Sequence, residues 1–257
     1  MYCKGVDSET APSPEHALSF GQAADCYDTV RPSYPREALA WMLGDEPIDV
    51  ADVGAGTGLL TRALIAAGHR VTAIEPDPRM LDALVSGSAG LAASHRGTAE
   101  RLPLPDGAVD AVTAGQALHW FDRERALPEF RRVLREGGVL APIWNTRDET
   151  VDWVAALTDI IGSSTGERIA REAAEPGFLG PGFADPEVRI FRHDKTFDGP
   201  GLIRLVQSRS VYLTADDDRR AALTAAVQAL IADHPALAGR DAFSMPYATY
   251  ALRARRC

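Results

Sequence analysis

Two acids and one histidine stand where chemistry could be done. Asp52 lies inside the apolar run Asp49 to Val53, two residues ahead of the alternate glycines Gly54, Gly56 and Gly58. A strand that buries Val50, Ala51 and Val53 makes Asp52 costly unless a cation or a set of donors meets it. Glu75 closes a second apolar run, Val71 to Ile74, 17 residues past Gly58. His119 sits in the segment ALHWFD behind a later apolar run. Its ordinary pKa suits proton removal near neutrality, but a histidine there could equally bond its own loop or orient a substrate.

Glycines at a strand-to-helix turn let the backbone bend sharply and let a ligand approach amide groups without interference from Cβ atoms. They also serve plain turn geometry. The spacing here is GxGxG, whereas the dinucleotide fingerprint is GxGxxG, and Leu59 occupies the place of the third fingerprint glycine. A pyrophosphate ligand would also leave the acid at Asp52 unexplained. A cationic ligand fits it better.

The elements that must hold these residues alternate. Strands are expected at IDVADV, VTAIE, LAASHR, AVDAVTAG and VLAPIW. Helices are expected at GLLTRALIAAG, DPRMLDALVSG and DRERALPEFRRVLREGG, the first stopped by Gly68 and the last by Gly137. This rhythm indicates βαβ units, a parallel sheet covered on both faces and right-handed crossovers. After Asn145 it changes: a helix over ETVDWVAALTDIIG, loop over GFLGPGFADP, a strand over EVRIFRHDKTF, a helix from Asp216 to Asp233 and a last strand in MPYATYALRARR. Two late strands joined by helical material would add an antiparallel edge. Residues 1 to 18, rich in Ser, Thr, Pro and Glu, read as a disordered leader, and 19 to 257 as one domain: an N-terminal cap (19–47), a core (48–146) and a cover with the last strands (147–257).

With 257 residues, 46% of them hydrophobic, the chain can build a substantial core. Its net charge of −9, with arginines scattered among acids, argues against a nucleic-acid binder. No run approaches the length needed to cross a bilayer, and the first residues lack the apolar stretch of a signal peptide. Cys3, Cys26 and Cys257 fit neither a disulfide framework nor a metal site, so a cytoplasmic location and no metal are expected.

The run Asp52 to Gly58, Glu75 at its strand end, and GTAERLPLPDGAVDAVTAGQALHWFD from Gly97 to Asp122 together resemble the class I S-adenosylmethionine-dependent methyltransferases. The likeness is to the small-molecule branch with the ubiquinone/menaquinone and trans-aconitate enzymes, and YDTVRPSYP ahead of the first strand is similar as well. It covers roughly Phe20 to Asn145 in specific motifs. It implies a Rossmann-like, seven-stranded α/β sheet, mostly parallel with an antiparallel late strand, under a helical cover. The cofactor implied is S-adenosylmethionine, leaving as S-adenosylhomocysteine. The partner implied is a small-molecule acceptor methylated at oxygen, nitrogen or carbon, a secondary metabolite among the candidates.

By that resemblance Gly54, Ala55, Gly56, Thr57 and Gly58 cradle the cofactor, Asp52 faces its ammonium group, and Glu75, followed by Pro76, accepts both ribose hydroxyls. Met80 covers adenine or else packs in the core. Thr98, Ala99 and Glu100 stand at the adenine edge, where Thr98 departs from the family's usual Asp. Gln116 beside Gly115 lines the methionine portion. Arg31 is the implied partner of the cofactor carboxylate, with Tyr27 and Tyr34 closing over the site; a helix start with packed tyrosines explains the same residues. His119 is the candidate base or substrate orienter, with Tyr34, Trp120 and Trp144 beside the acceptor. Trp153, Phe178, Phe183 and Tyr212 could furnish further apolar wall or simply core. Three rivals remain: an NAD(P) oxidoreductase, a cofactor-binding relative without turnover, and an enzyme that uses the sulfonium for another reaction.

Overall fold

The structure, a computed structural model, describes residues 30–163, 165–173, 175 and 177–257. The expected leader, Tyr27, Cys3 and Cys26 lie outside the described residues.

Five parallel strands carry the site: β1 (Asp49–Val53), β2 (Arg70–Glu75), β3 (Ala93–Arg96), β4 (Val109–Gly115) and β5 (Leu134–Arg147). β6 (Glu187–Phe197) and β7 (Phe243–Arg255) complete a seven-stranded sheet of order β3-β2-β1-β4-β5-β7-β6, with β7 antiparallel to both its neighbours. β1 is an inner strand between β2 and β4, and Val50, Ala51, Asp52 and Val53 are all buried, as a strand covered on both faces requires. β6 is one edge of the sheet, and its residues are mostly exposed or half-buried up to the buried Phe197.

The helices follow from local chemistry. α1 (Arg36–Leu43) begins after Pro35 and buries Ala38, Leu39 and Met42. α2 (Leu59–Ala66) starts from Gly58 in the left-handed region at φ 90° and buries Leu60, Thr61 and Leu64. α3 (Pro78–Gly87) has Asp77 as its N-cap, whose carboxylate accepts from the Arg79 amide at 2.8 Å, with Pro78 in the first turn.

α4 (Arg123–Val133) is shorter than the sequence pattern predicts. Leu134 leaves the helix and pairs with Val109, a register shift follows on β4, and Gly137 turns the chain at φ 71° inside β5 rather than ending a helix. Sheet pairing overrides helical periodicity here.

Past β5 come α5 (Asp152–Ile161), α6 (Thr165–Glu172), α7 (Gly199–Gln207), α8 (Ser210–Leu213) and α9 (Asp217–Asp233). The sequence pattern shows α5, β6, α9 and β7 but not α6, α7 or α8. α9 is capped by Asp216, which accepts from the Arg219 amide at 2.8 Å. Leu157 of α5, Leu202 and Leu205 of α7, Leu223 and Val227 of α9 and Met245 of β7 form one buried cluster beside the antiparallel edge. A second cluster runs under β4, β5 and α4 around Phe130 and Trp144. Among the described residues, no helix is long and apolar enough to cross a membrane, and no group of three His, Cys, Asp or Glu could hold a metal ion.

Candidate active site

A cavity of about 1090 Å³ opens at the carboxyl ends of β1, β2 and β4. That edge is where open α/β sheets bind ligands.

The glycine turn is strapped to the neighbouring strand. Gly54 and Ala55 both donate to the Ile74 carbonyl, at 2.9 and 3.2 Å, and the Gly56 amide donates to Glu75 Oε2 at 2.8 Å. A side chain on Gly54 would meet Ala117 Cβ at 2.9 Å and Phe121 at 3.0 Å, and Gly54 already sits at φ 67°. Gly56, at φ 58°, has nothing within 4 Å of the position a Cβ would take. That open space bares the turn's backbone to a ligand.

Glu75 Oε1 accepts from the Asp77 amide at 3.0 Å, so the acid joins the turn to the start of α3. Burial pushes its pKa up, and the two amide bonds oppose the shift. A carboxylate offers about four lone-pair sites, so two amides leave it able to accept a diol. The helix cap is Asp77, not Glu75.

Asp52 is fully buried. It accepts from Thr61 Oγ1 at 2.6 Å and Thr113 Oγ1 at 3.1 Å, which supplies the donor set its position demands. Burial nevertheless raises its pKa to about 7, and the nearby Glu75 charge adds to the shift. Two hydroxyls do not neutralise the acid, so a cation arriving at this end of the cavity would draw it into its ionised form.

Ala55, Thr57, Pro76, Met80, Thr98, Ala99, Glu100, Gln116, Arg31, Tyr34, His119 and Trp120 also line the cavity. Gly58 does not; it is packed against Leu84, Arg62 and Ser88, and its role is the turn into α2. Glu100 accepts from the Asp122 amide at 3.0 Å and so fastens the loop that carries His119. Gln116 is held at φ 55°, among the described residues the one non-glycine in the left-handed region, and donates to the Asn145 carbonyl at 2.8 Å. Strain of this kind persists where the surroundings over-determine it. Arg31 donates to the Ser208 carbonyl at 2.8 Å, and Tyr34 is buried with its hydroxyl over Gly115.

His119 lies in a 3₁₀ turn, Leu118–Trp120, half-buried under α6. A Cβ on Gly166 would stand 2.8 Å from its ring. Burial lowers its pKa to about 4, so it is neutral across the physiological range. The Trp144 indole N–H points to His119 Nδ1 at 3.5 Å, an arrangement that leaves the neutral ring's proton on Nε2. His119 is then a neutral ring with a donor at Nε2, which suits orientation of a substrate better than proton removal.

Several expectations need correction. Trp144 is fully buried in the core and touches His119 from behind; it is not on the cavity wall. Trp153, Phe178, Phe183 and Tyr212 pack in or against the two core clusters, with Trp153 edge-on to Phe243, and none lines the cavity. Trp153 on α5 and Tyr212 on α8 turn toward the hydrophobic interior, the core alternative that the sequence left open. His193 on β6 is half-buried and stacks on Tyr247 at 5.7 Å because β6 pairs with β7.

Asn145 was missed. It lines the cavity, its amide donates to the Pro32 and Ser33 carbonyls at 3.2 and 3.1 Å, and its Oδ1 accepts from Thr249 Oγ1 at 2.6 Å, with His193 Nε2 at 3.3 Å. The signal available was an amide side chain at the end of a strand otherwise apolar.

Residues 51–141 match the model of a methyltransferase domain. An uncharacterized methyltransferase of Mycobacterium tuberculosis is 41% identical over 249 residues, 95% of this chain and 98% of that one. The chain belongs to the class I S-adenosylmethionine-dependent methyltransferases. An uncharacterized methyltransferase of Schizosaccharomyces pombe is 35% identical over 190 residues, covering 72% of this methyltransferase and 75% of the relative. Among solved structures, one from Anaeromyxobacter dehalogenans, provisionally assigned as a type II methyltransferase, aligns at TM-score 0.62 with 23% identity over 88% of this chain and 97% of that one. The [4+2]-cyclase SpnF aligns at TM-score 0.53 with 18% identity, over 96% and 97% of the two chains. These structural likenesses extend the fold, not the reaction.

Proposed function

We propose that this methyltransferase holds S-adenosylmethionine along the ends of β1, β2 and β4 and methylates a small-molecule acceptor that enters beside Arg31, Tyr34 and His119. The observation that carries the reading is the pairing of a bared Gly56 with the Glu75 carboxylate at one edge of a large cavity. The residues fit the group. Glu75 has acceptor capacity for the ribose hydroxyls, Asp52 for the ammonium, and Met80, with Thr98 and Ala99, supplies an apolar and backbone surface for adenine. Gln116 and Arg31 flank the methionine portion.

Bound there, the sulfonium supplies an electrophilic methyl group. The chain's part is alignment, because in-line displacement gains several kcal/mol from positioning alone. His119 donates from Nε2 to the acceptor, Trp144 fixes the imidazole from behind, and Glu100 and Gln116 hold the loops on either side. The cover formed by α6 and the segment 30–35 keeps water from the reacting atoms.

The test is incubation of the purified protein with methyl-labelled S-adenosylmethionine and a panel of small-molecule acceptors, read by mass spectrometry. A methylated acceptor formed with S-adenosylhomocysteine supports the reading. Cofactor binding with no product from any acceptor would point to the rival without turnover.

A further inference from the structure

Among the described residues, the Asn145 side chain meets four partners, each of a fixed kind. Nδ2 faces the Pro32 and Ser33 carbonyls at 3.2 and 3.1 Å, which can only accept. Oδ1 must then be the acceptor, from Thr249 Oγ1 at 2.6 Å and from His193 Nε2 at 3.3 Å. The imidazole is thereby assigned the tautomer with its proton on Nε2. Asn145 and Thr249 are 4% and 0% exposed and stand opposite each other on β5 and β7. His193 reaches them from β6, half-buried, its ring held by the stack on Tyr247.

Lys195, two residues along the same face of β6, donates to the Arg31 carbonyl at 3.0 Å. Three consecutive carbonyls, of Arg31, Pro32 and Ser33, are thus gripped by side chains from the antiparallel edge of the sheet. The segment they belong to walls the cavity through Arg31, Pro32 and Tyr34. β6 contributes no residue to that wall among the described residues, so the reach of His193 into the site runs through Asn145.

Resting on the methyltransferase reading above, we propose that His193 and Thr249 are positioning residues: they hold the Asn145 amide in the one orientation that donates to the segment 31–34, and so fix where Arg31 and Tyr34 stand at the acceptor's entrance. A rotated amide would set Oδ1 against two carbonyls and Nδ2 against two donors. In a buried site each mismatch costs as much as a hydrogen bond left unmade. An edge strand outside the cavity then governs the shape of its wall.

The test exchanges a donor for an acceptor at equal size. His193→Gln keeps a donor within reach of Oδ1, whereas His193→Glu brings an acceptor that turns the amide round. Amide exchange of 31–34, read by mass spectrometry, should stay near wild type in the Gln variant and quicken about tenfold or more in the Glu variant. S-adenosylhomocysteine affinity, read by calorimetry, should be retained in the first and fall about threefold or more in the second. Thr249→Val removes the other donor without bringing a charge near Lys195 and should move both readings the same way, and Thr249→Ser should restore them. A role in packing alone makes Gln and Glu alike, or Val and Ser alike, and either result overturns the proposal. It fails too if the variants lower the melting temperature and leave exchange of 31–34 unchanged. If His193→Glu does not fold, the Thr249 pair decides by itself. Failure of the underlying reading shows separately, as wild-type protein that does not bind S-adenosylhomocysteine while the differences in exchange persist.

Discussion

The two ends of the cavity are built differently. At the β1–β2 end the working groups lie within one stretch of sequence, from Asp52 to Glu75, and hold each other through backbone amides. At the other end the lining groups come from 31–34, 115–120 and 145, and are held through side chains. A site made of local backbone is rigid and recurs as a motif. A site assembled from distant side chains can change its ligand by substitution, which is the freedom an acceptor pocket requires.

The largest effect expected is at the local end. Gly54→Val puts a branched side chain where even a Cβ lies 2.9 Å from Ala117, at φ 67°. Calorimetry should show S-adenosylhomocysteine affinity falling about a hundredfold or more, with a lower melting temperature. Wild-type affinity would break the comparison, because the turn would not be a rigid cradle.

Glu75→Ala should cost about tenfold or more in cofactor affinity, since it removes a charged acceptor and releases the Gly56 and Asp77 amides. Unchanged affinity removes Glu75 from the cofactor site. At the other end, Asn145→Ala should lower turnover and raise the acceptor KM about three- to tenfold through loss of the Pro32 and Ser33 bonds, while cofactor affinity moves less. Equal losses in both would mean that the two ends are not separable.

The legibility of the sequence divides along the same line. Asp52, the glycines and Glu75 could be read because strand, turn and strand end are contiguous and each carries its own signature. The β-α alternation through β5 and the antiparallel edge were legible for the same reason. Trp144 could not be placed, since a large aromatic at a strand end serves wall or core equally until the neighbouring helix is known. Asn145 carried only the faint signal of an amide after an apolar run, because its meaning lies in partners up to 113 residues away, as in its bond to the Pro32 carbonyl. The end of α4 was misread where pairing of Leu134 with Val109 took residues that a helical pattern claimed.

The smallest effect expected is a pH dependence. Asp52 titrates near pH 7 in the folded chain against an ordinary 3.8, so the folded state binds the extra proton between those values. The stability this group contributes is therefore full below about pH 4 and is lost as pH rises through 7. Cofactor binding has the opposite sign. An ammonium favours the ionised acid, so affinity should rise a few-fold between about pH 6 and 8, and Asp52→Asn should flatten that rise. A flat wild-type profile would remove the ammonium from this acid.

The central claim is that the edge formed by Gly56 and Glu75 binds S-adenosylmethionine. Calorimetric titration of the wild-type protein with S-adenosylmethionine and S-adenosylhomocysteine, alongside NADH, NADPH and the Glu75→Ala variant, tests it most directly. The account predicts binding of the two sulfur compounds alone, weakened in the variant. Binding of a nicotinamide in their place, or equal binding by wild type and variant, would contradict it.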